Sequence, residues 1–169
     1  RRLFLKKSLW RLTGLGILGG LYAWQIEPFW VEFVKQKMPI KNLPDQLVGK
    51  TLMQISDIHV GKRFDYQYII RSFEKFNPDF VVYTGDFVTI DNDEVQYDEL
   101  KAVMKNSVYG KLGTIGILGN HDYGKNWSQP KVAENVSKIV QDNGIQLLRN
   151  QQLDISGLNF IGFDDYWGL

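Results

Sequence analysis

The apolar positions of this chain fall into three successive patterns. Leu12 to Trp24 carries no charge and is rich in Leu, Gly and aromatic residues. Next, Ile26, Phe29, Trp30, Phe33 and Val34 recur at i, i+3, i+4, i+7 and i+8, which draws one apolar stripe along a helix running to Met38; Pro28 suits its first turn. Residues 39–50, with Pro39, Pro44 and Gly49, read as a linker. From Thr51 onward short apolar runs alternate with helical periodicity. Strands are predicted over Thr51–Ser56, Phe80–Tyr83 and Thr114–Leu118. Shorter ones follow over Ile145–Leu148, Leu153–Ile155 and Asn159–Phe163. Helices are predicted over Tyr66–Phe76 (stopped by Asn77-Pro78), Glu94–Lys105 and Lys131–Gln141 (closed by Asn143-Gly144). The division that results is 1–26, a basic segment and hydrophobic anchor helix; 27–50, an amphipathic helix and linker; and 51–169, an α/β layered domain.

Composition narrows the chemistry. With 44% hydrophobic and 23% charged residues the chain can build an ordinary core. It has no cysteine, which removes disulfides, thiolate metal sites and cysteine nucleophiles, so any metal must be held by carboxylate, imidazole or amide groups. The net charge of +1 is unevenly spread. Arg1, Arg2, Lys6, Lys7 and Arg11 crowd the first eleven residues without an acid, leaving 15 of the 20 Lys and Arg against all 19 Asp and Glu. A weakly acidic domain is a poor fit to nucleic acid, which needs a basic face.

A basic cluster followed by a short apolar run has the order of a targeting segment. Arg1-Arg2-Leu3-Phe4-Leu5-Lys6 resembles the twin-arginine export signal, and the glycine-containing stretch after it fits such a signal. No small-x-small cleavage site follows Leu21. Three readings stay open: an exported segment that remains attached as an anchor, a cytoplasm-facing anchor with its positive charges left inside, or a helix of the soluble core. The apolar run is short for a spanning helix, which needs about 20 residues. The amphipathic stretch is read either as an interfacial helix or as a stripe docked on the domain.

The chemistry gathers where strands end. Asp57-Ile58-His59, Gly85-Asp86 and Gly119-Asn120-His121-Asp122 each follow a predicted strand, and both histidines of the chain lie in them. In layered α/β sheets, ligands bind beyond the carboxyl ends of the strands. Each piece alone is ordinary turn chemistry; three in this order are not.

Asp-x-His, then Gly-Asp, then Gly-Asn-His-Asp is the motif series of the calcineurin-like metallophosphoesterases, which the chain resembles from about Thr51 to its end. The resemblance implies a sheet sandwich flanked by helices and two divalent metal ions, Mn, Fe or Zn. Asp57 and His59 would hold the first metal, Asp86 would bridge both, and Asn120 would hold the second. A bridging carboxylate lets two cations clamp both oxygens of an in-line phosphoryl displacement while a metal-activated water attacks phosphorus. His121 would serve as general acid or electrostatic stabiliser. Asp122 would orient His121, or else cap a helix or loop.

The N-terminal segment and the aromatic run at Glu27-Pro28-Phe29-Trp30 resemble the membrane-associated bacterial branch, which includes enzymes similar to UDP-2,3-diacylglucosamine pyrophosphatases. A phosphorylated, lipid-linked substrate and a membrane are the partners this implies, with a bacterial membrane as the location. A tethered nucleotidase, nuclease or protein phosphatase, and a non-catalytic tethered binding module, are the competing readings. The family completes its metal site with later histidines, one alone and then a Gly-His-x-His turn. No His follows His121 here, so the domain is expected to be cut short at its C-terminus, and this chain alone to bind metal weakly and turn over slowly. Asp91-Asn92-Asp93-Glu94 reads as a solvated loop and helix start. Asp164-Asp165 follows a strand on the expected edge, where it either touches the site or the residues that support it, or makes a turn.

Overall fold

A computed structural model of the chain describes residues 2–27, 30, 32–61, 73–91 and 94–166. It consists of two units, Arg1–Pro39 and Ile40–Leu169.

In the first unit, α1 (Arg2–Gln25) is a single helix of 24 residues, about 36 Å long at 1.5 Å per residue. The basic residues extend the apolar run into one helix because Lys and Arg are good helix formers. Gly14, Gly16, Gly19 and Gly20 dilute its hydrophobicity, and no helix among the described residues is long and apolar enough to cross a membrane. The amphipathic helix expected up to Met38 is not formed: residues 32–40 carry no helical structure, while residues 28, 29 and 31 lie outside the described residues. The physical reason lies in the stripe itself. Trp30 is 70% and Val34 80% exposed, and a short helix holds together mainly through the packing of its apolar face.

The strands of the second unit are, in chain order, β1 (Leu52–Ile55), β2 (Phe80–Tyr83), β3 (Ile90–Asp91), β4 (Glu94–Val95), β5 (Gly113–Gly116), β6 (Gln146–Leu147), β7 (Gln151–Ile155) and β8 (Leu158–Gly162). Four of them form one parallel sheet in the order β1-β2-β5-β6. Central β2 is covered on both sides, with Phe80, Val81 and Tyr83 buried, and its unbroken apolar run is the signature of such a strand. Helix α2 (Tyr97–Lys105) buries Leu100, Val103 and Met104; α3 (Pro130–Asp142) buries Ala133, Val136, Ile139 and Val140. Both stripes join the sheet in one core. This is the α/β organisation that the alternation of patterns predicts.

Two helix boundaries differ by more than one residue. The helix expected from Glu94 begins at Tyr97, because Glu94 and Val95 pair with Asp91 and Ile90 in the β3–β4 ladder. The helix expected over 66–76 falls mostly outside the described residues, and its end, Glu74–Phe76, is one 3-10 turn. β7 and β8 form a hairpin whose two loop residues, Ser156 and Gly157, have φ of 58° and 88°, the left-handed pair that matches strand twist in a two-residue turn. Since β1, β2 and β5 are parallel neighbours, their carboxyl ends lie on one edge, where Asp57, Asp86 and Asn120 follow.

Candidate metal centre

The loops after β1 and β2 are paired with each other beyond the strands. Thr84 N–H donates to Ile55 O, Asp57 N–H to Gly85 O, His59 N–H to Asp86 O and Val60 N–H to Phe87 O, at 2.9–3.1 Å, and Val60 bridges Val88 in parallel. The ladder therefore continues, but with kinks: Asp57, His59 and Asp86 have φ of 56°, 47° and 55°. Left-handed backbone is uncommon outside glycine, and such strain persists only where surrounding structure fixes it. Here the flanking ladder and two fully buried valines, Val60 and Val88, fix it. Three kinks turn three side chains to one place.

There, one ligand atom from each of Asp57, His59 and Asp86 lies within 4.8 Å of the others. His59 Nε2 stands 3.7 Å from Asp57 Oδ1 and 3.7 Å from Asp86 Oδ2. That is longer than a hydrogen bond, and it lies in the range of about 3–4 Å that separates ligands around a cation with bonds of about 2.1 Å. Two carboxylates and an imidazole nitrogen in this spacing suit a divalent metal ion.

The loop after β5 closes against this cluster. His121 N–H donates to Asp86 Oδ1 at 3.0 Å, and the His121 ring meets the His59 ring edge to face with centroids 4.8 Å apart. Asn120 opens the 3-10 turn Asn120–Tyr123, bracketed by Gly119 and His121, both of which touch Asp86. The structure thus brings Asp57, His59, Asp86 and His121 together and sets Asn120 beside them.

Asp122 does something other than orient His121. It is fully buried. Its Oδ2 accepts the N–H groups of Asp86 and Gly119, each at 2.9 Å, and its Oδ1 accepts those of Phe87 and Val88 at 2.8 and 3.2 Å. Burial pushes the carboxyl up, to about 7, against the N–H groups of Gly119, Val88 and Phe87, which lower it; the charge of Asp86 adds to the rise. Asp122 is a cap: its carboxylate accepts the N–H of Gly119, the residue that opens the turn. It also staples the β5 loop to the β2 loop, so its acceptors are taken up by backbone rather than by the His121 ring.

The two glycines of the motifs are steric requirements of the same closure. A Cβ on Gly85, at φ +90°, would stand 2.3 Å from Gly119 N; one on Gly119 would stand 2.3 Å from Asp86 Oδ1 and 2.7 Å from Asp86 N. Gly119 has ordinary extended backbone (φ −101°), so only this approach demands glycine there. Gly119→Ala is therefore expected to displace the Asp86 carboxylate and weaken Mn²⁺ binding about tenfold or more, with the far-UV circular dichroism spectrum retained. Unchanged affinity in a calorimetric titration would contradict this geometry.

Sequence reasoning missed two neighbours. Trp127, 38% exposed, sits with its ring 6.4 Å from that of His121; its only signal is an aromatic soon after the motif. Tyr123 ends the turn and hydrogen-bonds Asp164, so Asp164 is tied to the site's supporting turn, the first of the two alternatives its position left open. Asp91 and Glu94 pair across the β3–β4 ladder.

Comparison with known proteins agrees with this geometry. The chain is 30% identical over 131 residues to an uncharacterized metallophosphoesterase, YkuE, of Bacillus subtilis, covering 73% of this chain and 45% of the relative. It is 28% identical over 119 residues to the UDP-2,3-diacylglucosamine pyrophosphatase LpxG of Chlamydia trachomatis, covering 69% and 36%. It is 29% identical over 127 residues to a transmembrane protein with metallophosphoesterase domain of Danio rerio, covering 72% and 27%. The chain thus spans less than half the length of these relatives. The profile of the calcineurin-like phosphoesterases matches residues 50–165, a span that holds every residue of the cluster. The chain belongs to the calcineurin-like phosphoesterase family.

Proposed function

We propose that this chain contributes the Asp57–His59–Asp86 part of a two-metal site. The protein would use it to hydrolyse a phosphoric ester or pyrophosphate bond of a lipid-linked substrate at a membrane. The observation that carries the reading is the convergence of two carboxylates and an imidazole within 4.8 Å, with the second histidine against them. Asp57 and His59 hold one ion, Asp86 serves both, and Asn120 serves the second. Bound divalent ions supply charge neutralisation at the phosphoryl oxygens and activation of water. His121, placed by the bond from its N–H to Asp86, hands a proton to the leaving oxygen or stabilises its charge through the ring.

The substrate class draws on the relative named as a UDP-2,3-diacylglucosamine pyrophosphatase, and the location on α1. Trp10, Leu12, Leu15, Leu18 and Trp24 of α1 are largely exposed, downstream of a basic end. A helix segregated lengthwise in this way seats its apolar part in one leaflet, with each basic residue near anionic headgroups contributing about 1 kcal/mol.

Two measurements test the reading. The whole protein should hydrolyse bis(p-nitrophenyl) phosphate only with a divalent metal, and His121→Ala should lower kcat about a hundredfold or more with metal affinity retained. Turnover that survives either change removes the assignment. Separately, the protein should cosediment with phosphatidylglycerol vesicles, and Lys6→Glu/Lys7→Glu should reduce that binding; equal binding to vesicles by wild type and variant, or none by either, rejects the membrane role of α1.

A further inference from the structure

The turn Asn120–Tyr123 is four residues of 3-10 helix, too short to hold its own shape, since the first helical turn is the costly one. Two restraints on it come from within the motifs, through Asp122 and through Asp86. A third comes from far along the chain. Tyr123 is 3% exposed, and its hydroxyl donates to Asp164 Oδ1 at 2.6 Å while accepting from Arg149 Nη2 at 2.8 Å. Arg149 Nε donates to Asp164 Oδ2 at 2.9 Å, and its Nη2 lies 2.8 Å from the same oxygen. The Arg149 guanidinium also lies 5.7 Å from the centre of the Tyr123 ring. Asp164 has a side chain 7% exposed, and its own N–H donates to Asn150 Oδ1 at 3.1 Å. Arg149 precedes the β7–β8 hairpin and Asp164 follows it, so the base of the hairpin closes on the hydroxyl of Tyr123.

We propose that Arg149 and Asp164, acting through the Tyr123 hydroxyl, are positioning residues for His121 and Asn120. Without that hydroxyl the turn keeps its inner staple at Asp122 but loses its outer one, and the His121 ring gains freedom against His59. The geometry singles out orientation over simple cohesion. Two polar groups, Arg149 Nη2 and Asp164 Oδ1, converge on one atom of the last residue of the turn, and Arg149 and Asp164 remain paired with each other whether or not Tyr123 has its hydroxyl. The inference rests on the hydrolytic reading above as far as turnover is concerned, but its structural half stands apart from it.

Tyr123→Phe is the test, because the ring and the core packing are kept. In the whole protein with Mn²⁺, kcat is expected to fall about tenfold, the lower end for a residue acting through a metal-site neighbour, with KM within about twofold. Tyr123→Phe combined with Arg149→Lys should be little worse than Tyr123→Phe alone, since the hydroxyl carries the hydrogen bonds that link Arg149 and Asp164 to the turn. A second readout needs no turnover. The chain has two histidines, so their ring proton resonances in the metal-free chain are assigned with one His59→Gln variant, and Tyr123→Phe should broaden or shift that of His121. If wild type is inactive the hydrolytic reading fails, and the resonance still decides this one. A His121 resonance and a kcat unchanged by Tyr123→Phe, with only the melting temperature lowered, would show that the network serves stability alone and would overturn the proposal.

Discussion

Asp122→Ala is expected to lower the stability of the second unit by about 3–5 kcal/mol, the cost of stripping several buried donors of their acceptor. Four backbone N–H groups lose their partner at once, and those of Phe87 and Val88 lie in the core with no water to replace it. Against a total stability of about 5–15 kcal/mol for a domain, that loss is large. Asp122→Asn separates the causes. It keeps one acceptor oxygen but turns an NH₂ toward two N–H donors, so it should fall between wild type and Ala in chemical denaturation. If Asp122 instead worked mainly on the His121 ring, Asn would fold like wild type and lose activity only. Denaturation midpoints for the three proteins distinguish the cases, and a midpoint for Ala equal to wild type would refute the staple.

Asp86→Asn carries the largest expected functional effect. The side chain has two tasks on two oxygens: Oδ1 accepts the His121 N–H at 3.0 Å and Oδ2 faces His59 at 3.7 Å. An amide retains the first task and forfeits the anionic ligand. Divalent metal affinity should fall about a hundredfold and turnover with it, since the carboxylate is assigned to both ions. Melting temperature without metal should hold or rise, because two nearby carboxylates no longer repel and Asn tolerates the left-handed φ of 55° found there. A variant that bound Mn²⁺ as tightly as wild type would show that Asp86 is not a ligand.

How much of this was legible beforehand depends on how local the cause is. β2 was readable to the residue because a strand buried on both faces must be apolar throughout. α3 was readable because its stripe, Pro130 and Asn143-Gly144 all agree. The convergence of Asp57, His59 and Asp86 was readable because these residues follow strands that the alternation makes parallel neighbours. The stripe at 26–38 misled, since periodicity states which face would be buried but not that anything is there to bury it. The pairing of β3 with β4 was hidden by Glu94, a good helix former that reads as the start of the helix after it. Asp122 was left between orienting His121 and capping a turn, because adjacency in sequence says nothing about which way a buried carboxylate turns. The union of Tyr123, Arg149 and Asp164 spans 41 residues and follows from the hairpin's return, which no spacing rule encodes.

The central claim is that Asp57, His59 and Asp86 hold a divalent ion. The most direct measurement is pulsed electron paramagnetic resonance of the chain with Mn²⁺, read for modulation by a directly bound nitrogen. The account predicts nitrogen coupling from the His59 imidazole that His59→Gln abolishes and His121→Ala leaves in place. A Mn²⁺ signal without nitrogen coupling, or a coupling that persists in His59→Gln, would contradict it.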